Sequence, residues 1–327
     1  MIWLITGGAG FIGYNFIEYI MEKYKEDKIV CIDKLNYAGR YNNIEKLKEN
    51  KRFQFVKVDI CNKLKLNSIF ESNQFDCVVN FAAESHVDRS ICSAEPFIKS
   101  NVMGTQILLD AANRFQIPRF HQISTDEVYG DIPLKHLNIR FDEKCNLRPS
   151  NPYSASKASA DLLVLSYYRT YELPITISRS SNNYGAHQHP EKLIPLMICN
   201  AYKNKPLPIY GDGMNIRNWL HVKDHCRAVD MIVRKGNIGE IYNVGSDYEQ
   251  RNINMVKIIL DTMKKPYNLI HFVEDRPGHD KKYSIDTTKI KDSLGWKPEI
   301  SFQSGIEATI QWYLSQYENE VRGNDKV

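Results

Sequence analysis

The N-terminal residues 2–13 read Ile2-Trp3-Leu4-Ile5-Thr6-Gly7-Gly8-Ala9-Gly10-Phe11-Ile12-Gly13. An apolar strand pattern leads directly into glycines at every third position, and a helical pattern follows. Such glycines permit a tight turn, close approach of the backbone to a pyrophosphate, and close packing of helix on sheet. The phosphates would lie at the helix N-terminus, where unpaired N–H groups favour negative charge. The stretch therefore predicts a dinucleotide-binding unit with cofactor contacts at Gly7, Gly10, Phe11, Ile12 and Gly13.

Short apolar, β-branched runs recur after this start and alternate with longer helical patterns. The predicted strands are Ile2–Thr6, Ile29–Asp33, Phe53–Asp59, Cys77–Phe81, Arg119–Ser124, Ile175–Ser180 and Ile241–Val244. Helical patterns between them include Phe11–Lys25, Phe97–Phe115 and Tyr153–Tyr171. Nearly continuous apolar strands that alternate with helices indicate a parallel sheet covered on both faces. The predicted fold is α/β, a Rossmann-like doubly wound parallel sheet with a smaller C-terminal α/β substrate-binding lobe.

The pattern becomes looser after Ser180, where prolines separate short elements. We interpret this region as a smaller lobe that completes a substrate site. The predicted dinucleotide-binding Rossmann domain comprises residues 1–181 plus about 224–247, which return to the main sheet. The predicted substrate-binding lobe comprises about 182–223 plus 248–327.

Composition and charge exclude several classes of protein. The net charge is +4, from 43 Lys and Arg against 39 Asp and Glu, and the basic residues are dispersed. Nucleic-acid binding requires a concentrated basic face, so we expect no nucleic-acid partner. Seven cysteines without a Cys-x-x-Cys pair favour reduced thiols and a cytoplasmic protein. No stretch approaches the roughly 20 apolar residues of a membrane span.

The strand ends carry further predicted cofactor contacts. Asp33 ends the second strand, twenty residues after Gly13, where a carboxylate accepts the ribose hydroxyls and repels a 2′-phosphate. This favours NAD over NADP, although the adjacent Lys34 weakens the preference slightly. Asp59-Ile60 ends the third strand and is a candidate adenine contact. Ala82-Ala83 follows the fourth strand, where small side chains leave room for the cofactor.

Tyr153 and Lys157 are the predicted redox pair. They lie four residues apart near the start of a helical pattern and therefore on one helix face. The Lys ammonium can bind ribose hydroxyls and, with the nicotinamide charge, lower the tyrosine pKa from about 10. Tyr153 is then the general base on a sugar hydroxyl while hydride leaves the same carbon.

These features together resemble the extended short-chain dehydrogenase/reductase superfamily, with Ser124-Thr125 on the fifth strand in the expected order. The resemblance implies that the Thr125 hydroxyl binds the reacting C4 oxygen. Asp126-Glu127 after it resembles the signature of the nucleoside-diphosphate-glucose 4,6-dehydratase family. Further segments that match this family are 33–39, 81–90, 191–195, 208–213, 275–280 and 294–298.

The resemblance implies a dehydration without net redox change. Oxidation at C4 makes the C5 proton acidic, Glu127 removes that proton, and protonated Asp126 donates to the departing C6 hydroxyl. Because adjacent carboxylates repel, one of the two should have a raised pKa. Hydride then returns to C6, so NAD should stay bound through turnover. The substrate implied is dTDP-glucose and the product its 4-keto-6-deoxy derivative, an intermediate of deoxysugar biosynthesis.

The remaining assignments come only from the resemblance. The implied cofactor contacts are Asn36 and Asn183. The implied substrate contacts are Ser85, Asn182, Lys192, Tyr210, Arg217, Asn252, Arg276 and His279. Two of them are arginines, whose forked donors suit a diphosphate. Relatives form homodimers through a four-helix bundle, which here would use Phe97–Phe115 and Tyr153–Tyr171.

Several alternatives stay open. The sequence departs from the family pattern at 186–189, at Asn218 and at 246–248, which leaves the nucleotide base undecided between thymidine and uridine. A UDP-glucose 4,6-dehydratase is thus one alternative. A UDP-sugar 4-epimerase or decarboxylase, or a non-catalytic NAD-binding scaffold, is opposed by Asp126-Glu127 and the intact redox pair. The pairs His187/His189 and His221/His225 have no evident third ligand, so we expect no metal site.

Overall fold

The computed structural model describes residues 1–37, 39, 41–136 and 138–324. Its strands, in chain order, are β1 Ile2–Thr6, β2 Lys28–Asp33, β3 Phe53–Lys57, β4 Cys77–Asn80, β5 Phe120–Thr125, β6 Ile175–Ser180, β7 Asn182–Tyr184, β8 Leu207–Tyr210, β9 Ile216–His221, β10 Ile241–Val244, β11 Glu249–Arg251 and β12 Ile270–Val273. Its helices are α1 Phe11–Lys23, α2 Tyr41–Glu45, α3 Lys63–Glu71, α4 Val87–Cys92, α5 Glu95–Phe97, α6 Gly104–Arg114, α7 Pro152–Tyr171, α8 Leu193–Tyr202, α9 Val222–Lys235, α10 Asn252–Thr262, α11 Thr288–Leu294 and α12 Phe302–Asn324. Among these described helices, none is long and apolar enough to cross a bilayer.

The main sheet has seven parallel strands in the order β10-β6-β5-β4-β1-β2-β3. The order reverses between β1 and β4, and this crevice at the carboxyl ends of the strands is where doubly wound sheets bind their ligands. One face of the sheet packs on α1 and α9, and the other packs on α3, α6 and α7. The predicted fold class is therefore confirmed, and the strand bounds differ from the predicted ones by at most two residues.

The C-terminal half builds a smaller lobe around a separate core. Strands β7, β9 and β11 form one small sheet, and β8 pairs with β12 in another. Helices α8, α10 and α12 cover them around Ile198, Ile259 and Ile310. Strand β10 lies beside β6 in the main sheet, where it was expected. The division of the chain into two domains stays a prediction, and residues 325–327 at its end lie outside the described residues.

The predicted helix Phe97–Phe115 differs from the observed one in its first half. Residues Ile98–Met103 form a π-helical segment between α5 and α6. Inside this segment the Asn101 side chain accepts from the backbone N–H of Glu84 at 2.8 Å and donates to the Glu84 carbonyl at 3.0 Å. It also donates to Ser156 Oγ on α7 at 2.8 Å. The widened turn thus places one amide against the segment that follows β4, as π-helical turns near functional sites commonly do.

Candidate active site

The glycine loop between β1 and α1 is closely packed. Gly7 has φ +66°, and a Cβ atom there would lie 2.6 Å from the backbone nitrogen of Ala82 at the end of β4. A Cβ on Gly13 would lie 2.5 Å from the carbonyl oxygen of Gly7. Both distances exclude any side chain, so this loop leaves an open cradle at the N-terminus of α1.

Asp33 joins the glycine loop to the end of β2. Its Oδ2 accepts from the backbone N–H of Ala9 at 3.0 Å, and its Oδ1 accepts from that of Leu35 at 2.7 Å. Burial raises the pKa of this carboxyl, while the two backbone hydrogen bonds oppose the rise. Lys34 forms an ion pair with Glu84 at 2.9 Å, so its charge is largely balanced. The sequence predicted that this lysine weakens the preference for NAD over NADP.

One long cleft runs across the carboxyl ends of β1, β2, β4 and β5. All residues predicted as cofactor contacts line it: Gly7, Gly10, Phe11, Ile12, Gly13, Asp33, Lys34, Asn36, Asp59, Ile60, Ala82, Ala83, Tyr153, Lys157 and Asn183. Ser124 Oγ, Ser181 Oγ and Asn182 Oδ1 also belong to lining residues, and these buried atoms have no hydrogen-bond partner within the described part of the chain. Buried polar atoms normally have partners, so these three suit a polar ligand in the cleft. The glycine cradle and these atoms together fit a dinucleotide such as NAD.

The redox pair lies on the first turns of α7. Asn151 caps this helix by accepting from the backbone of Ser154 at 2.9 Å, and Pro152 follows at the first helical position. Lys157 Nζ donates to the carbonyl oxygen of Ile123 at 2.6 Å. Burial lowers the pKa of this ammonium to about 8, against the opposing charge of Asp161.

The protein alone raises the pKa of Tyr153, whereas the predicted lowering includes the charge of the nicotinamide ring. Burial raises it, and the charges of Glu127 and Asp126 add to the rise, whereas only a hydrogen bond with Thr125 acts strongly the other way. The carboxylates were not included in the prediction, which counted only positive neighbours. A lowered tyrosine pKa therefore requires the positive nicotinamide ring in addition to Lys157.

The two adjacent carboxyl groups lie in a 3-10 turn, Asp126–Tyr129, directly after β5. Thr125 starts this turn by accepting from the backbone N–H of Glu127 at 3.3 Å. Asp126 is almost fully buried, and its Oδ2 has no hydrogen-bond partner among the described residues. Burial and then the charge of Glu127 raise the pKa of Asp126 well above its usual range.

Glu127 lines the cleft and also has a raised pKa, chiefly because of burial. The positive charges of Arg276, Arg217 and Lys192 oppose this rise. The arrangement thus favours the protonated form of Asp126 more strongly than that of Glu127, whose rise the three cations oppose. Such a pair provides an acid and a base at neighbouring positions.

The predicted substrate residues fall into two groups. Ser85, Asn182, Lys192 and Thr125 line the cleft, and Lys192 Nζ donates to the Ser85 carbonyl at 2.7 Å. The others lie in the smaller lobe and do not line the cleft: Tyr210, Arg217, Asn252, Arg276 and His279.

Arg217, one of this second group, binds the backbone of the smaller lobe. Its guanidinium is buried and donates to the backbone carbonyls of Ile216 at 2.8 Å and Asp280 at 2.9 Å. Its charge nevertheless acts on both Asp126 and Glu127. The structure therefore brings the charge of Arg217 within reach of the carboxyl pair, while two of its five N–H donors bind backbone carbonyls.

His221 and His225 have hydrogen-bond partners within the protein. His225 Nδ1 bonds Asn183 Oδ1 at 3.0 Å, and His221 accepts from the backbone N–H of Lys223 at 3.3 Å. Burial lowers the pKa of His225 to about 3 and that of His221 to about 4, so both are neutral. Within the described ranges, no group of three or more His, Cys, Asp or Glu is placed to hold a metal ion.

The sequence analysis missed two residues near this site. Tyr283 is buried, donates to Asp280 Oδ2, and has its pKa raised by burial and by the charge of Glu127. Glu191 lines the cleft, with Oε2 lying 3.5 Å from His86 Nε2. Glu191 belonged to a segment used only for the resemblance. Tyr283 lies three residues after another such segment, 275–280, and no motif spacing in the sequence singles it out.

Asn218, one departure from the family pattern, has a local structural reason. Its Nδ2 donates to the Ser246 carbonyl at 2.5 Å, and its Oδ1 accepts from the Ser246 N–H at 3.0 Å. An ionised aspartate could make only the second of these bonds. The departures at Asn218 and Ser246 therefore form one contact.

Comparison with known proteins places the chain among nucleotide-sugar enzymes. A family model described as GDP-mannose 4,6 dehydratase matches residues 4–309. The low-salt glycan biosynthesis protein Agl12 of Haloferax volcanii is 50% identical over 315 residues, covering 96% of this chain and 99% of that protein. A dTDP-glucose 4,6-dehydratase of Haemophilus influenzae is 47% identical over 331 residues, covering 95% of this chain and 97% of that protein. The crystal structure of DesIV, a dTDP-glucose 4,6-dehydratase from Streptomyces venezuelae with NAD and TYD bound, is similar with a TM-score of 0.93. It is 42% identical in sequence, covering 96% of this chain and 97% of that one.

Proposed function

The chain belongs to the GDP-mannose 4,6-dehydratase family, and from its similarity to dTDP-glucose 4,6-dehydratases within that family we propose that it is an NAD-dependent dTDP-glucose 4,6-dehydratase. It converts dTDP-glucose to dTDP-4-keto-6-deoxyglucose and water, a step of deoxysugar biosynthesis. One observation carries the proposal: the buried carboxyl group of Asp126 and the partly buried one of Glu127 follow one another directly after β5, close to Tyr153, and desolvation raises the pKa of both.

The redox half of the reaction uses Tyr153, Lys157 and Thr125. NAD supplies the hydride acceptor for C4 and the hydride donor for C6. Tyr153 Oη takes the proton of the C4 hydroxyl, and Thr125 Oγ1 holds the C4 oxygen. Lys157 is fixed by Ile123 at the end of β5, where its ammonium favours the tyrosinate and binds ribose hydroxyls.

The dehydration uses the two carboxyl groups. Glu127 removes the C5 proton, which is acidic once C4 is a ketone, and the C5–C6 double bond forms as the C6 hydroxyl leaves. Asp126 donates its proton to that hydroxyl, so water departs. A proton then returns to C5 while hydride adds to C6, and the cycle ends without net oxidation.

The remaining residues are proposed as binding contacts. The fifteen cleft residues named above bind the cofactor, and the glycine cradle and Asp33 hold its diphosphate and ribose. Ser85, Asn182 and Lys192 contact the sugar. In the smaller lobe, Arg217, Arg276, His279 and Asn252 bind the diphosphate side, and Tyr210 lies near the pyrimidine.

We also propose a cytoplasmic homodimer. The two long helical segments expose large apolar side chains, among them Ile98, Met103 and Leu162, which are 45%, 51% and 59% exposed. A four-helix bundle formed with a second copy would bury them. The cytoplasmic assignment rests on the seven cysteines, which are all free thiols.

Mass spectrometry of the purified protein tests the reaction. The protein is incubated separately with dTDP-glucose, UDP-glucose and GDP-mannose, without added NAD. Loss of one water from dTDP-glucose alone is the expected result. Loss of water from only one of the other two would keep the chemistry and change the base. An isomer of unchanged mass, or no reaction even after NAD is added, would refute the dehydratase assignment.

A further inference from the structure

Asp88 connects the two halves of the molecule through both of its carboxylate oxygens. It lies in the first turn of α4, on the segment that follows β4 and the cofactor-lining Ala82-Ala83. Its Oδ1 accepts from Arg276 Nη1 at 2.9 Å, and its Oδ2 accepts from Tyr210 Oη at 3.2 Å. One carboxylate of the NAD-binding half thus holds two side chains of the smaller lobe.

Tyr210 and Arg276 reach Asp88 from the same edge of one small sheet. Strands β8 and β12 pair in parallel, with Tyr210 opposite Val273, so the chain leaves both strands at their common carboxyl end. The Arg276 guanidinium lies 5.8 Å from the Tyr210 ring centroid. The ring of Tyr210 is 40% exposed and therefore offers a face to a planar ligand.

The guanidinium of Arg276 has donors that the described residues do not use. Its Nη1 is taken by Asp88, but its Nε is buried and has no hydrogen-bond partner among the described residues. A buried donor without an acceptor is costly unless a ligand supplies one. The charge of Arg276 also opposes the rise in the pKa of Glu127, which places the guanidinium within electrostatic reach of the carboxyl pair.

Asp88 is ionised while it makes these contacts. Burial raises its pKa, but the hydrogen bond and charge of Arg276 outweigh burial, and the pKa ends below its usual value. An ionised carboxylate makes stronger hydrogen bonds than a neutral group. The contact therefore restricts the rotation of a long arginine side chain, which is otherwise mobile.

We infer that Asp88 is a positioning residue of the nucleotide site, which holds Arg276 and Tyr210 so that the guanidinium meets the diphosphate and the ring meets the base. The inference rests on the proposed function, because it requires a nucleotide diphosphate as ligand. The direction in which nucleotide affinity changes when the charge of Asp88 is removed distinguishes positioning from simple repulsion. A negative charge that merely opposed an anionic ligand would weaken binding, so its removal would tighten it. A positioning carboxylate strengthens binding, so its removal weakens it.

The test measures dTDP binding by calorimetry and turnover of dTDP-glucose in the NAD-loaded protein and in Asp88→Asn. We expect the Kd for dTDP and the KM for dTDP-glucose to rise on the order of tenfold, with kcat nearly unchanged. Asp88→Glu, which keeps the charge, should recover part of the affinity. Glu71→Gln is the matched control, because Glu71 forms an exposed ion pair with Arg114 away from the cleft. It should leave Kd, KM and kcat unchanged.

A double-mutant cycle separates positioning from a general role in stability. In an Arg276→Met background, Asp88→Asn should raise the Kd for dTDP by clearly less than in the wild type, since one of the two groups it positions is gone and only Tyr210 remains. NAD content and the melting temperature should change little in Asp88→Asn. An unchanged or lower Kd in Asp88→Asn, or additive effects in the cycle, would overturn the inference and leave the proposed function standing. A wild-type protein that neither binds dTDP nor converts dTDP-glucose would overturn both.

Discussion

The ammonium nitrogen of Lys157 lies 2.6 Å from the backbone carbonyl oxygen of Ile123 and donates a hydrogen bond to it. This bond joins the first turns of α7 to the end of β5, two residues before Thr125. The bond therefore joins directly the two elements that carry Thr125, Tyr153 and Lys157. Because the ammonium is buried, its charge is costly, and its pKa falls to about 8.

The lowered pKa of Lys157 predicts how activity depends on pH. Below about pH 8 the side chain is charged and supports the tyrosinate, and above it the charge is lost. We expect kcat to fall as pH rises through about 8. Lys157→Met should lower kcat by about 10²- to 10⁴-fold and should lack this decline. Steady-state rates across the pH range provide the measurement, and a constant wild-type kcat through about pH 8 would contradict it.

The carboxyl pair predicts that two variants stop at different steps. Asp126→Asn cannot donate a proton to the C6 hydroxyl, and Glu127→Gln cannot remove the C5 proton. Each should lower kcat by about 10²- to 10⁴-fold while reduced NAD accumulates, since C4 oxidation continues. In deuterated water, Asp126→Asn should still exchange the C5 proton, whereas Glu127→Gln should not. Exchange of the C5 proton in Glu127→Gln would show that another group is the base.

Asp33 predicts a selective loss of cofactor affinity. Asp33→Ser removes the acceptor for the backbone N–H groups of Ala9 and Leu35, and also the acceptor for the ribose. We expect NAD to bind about tenfold or more weakly, since a hydrogen bond to a charged group contributes about 1.5–3 kcal/mol. Asp76→Asn is a matched control, because Asp76 accepts from the backbone of Ile2 and does not line the cleft. Calorimetry with NAD provides the measurement, and equal losses in both variants would exclude a cofactor-specific role.

The sequence predicted the elements and contacts that depend on local patterns. The glycine loop and Asp33 lie at the ends of adjacent strands. Tyr153 and Lys157 lie on one helix face. Spacing in the sequence was therefore enough to place all of them in the cleft. Tyr283 and the backbone-bound guanidinium of Arg217 depend on how the smaller lobe folds over Glu127. The raised pKa of Tyr153 likewise depends on burial, which only the folded structure shows.

Leu162 predicts the assembly state. It lies on α7, is 59% exposed, and belongs to the surface that we propose for the four-helix bundle. Leu162→Glu should place a charge in that interface and shift the protein from dimer to monomer in sedimentation velocity. Leu64→Glu is the control, because Leu64 is 82% exposed on α3, outside the two helical segments. A monomeric wild type, or a Leu162→Glu protein that stays dimeric, would contradict the proposed interface.

Asp161 on α7 and Arg179 on β6 form a buried ion pair. Arg179 Nε donates to Asp161 Oδ2 at 2.9 Å, and its Nη1 donates to Tyr129 Oη at 3.0 Å. The two side chains are 0% and 2% exposed. Asp161→Asn leaves a buried guanidinium without its counter-charge and should lower the free energy of unfolding by about 3–5 kcal/mol. Asp161→Leu combined with Arg179→Met should recover most of that loss in urea unfolding, because neither charge is then buried alone.

The double variant Asp161→Leu and Arg179→Met also tests how Asp161 affects the pKa of Lys157. Asp161 lies one helical turn after Lys157, and its charge raises the pKa of that ammonium against the effect of burial. Without Asp161 the pKa of Lys157 should fall below about 8, since burial then acts unopposed. The decline of kcat with rising pH should therefore move to lower pH in the double variant, although the protein remains folded. A decline at the wild-type pH would show that Asp161 contributes to stability alone, and that the charge state of Lys157 does not set the pH dependence.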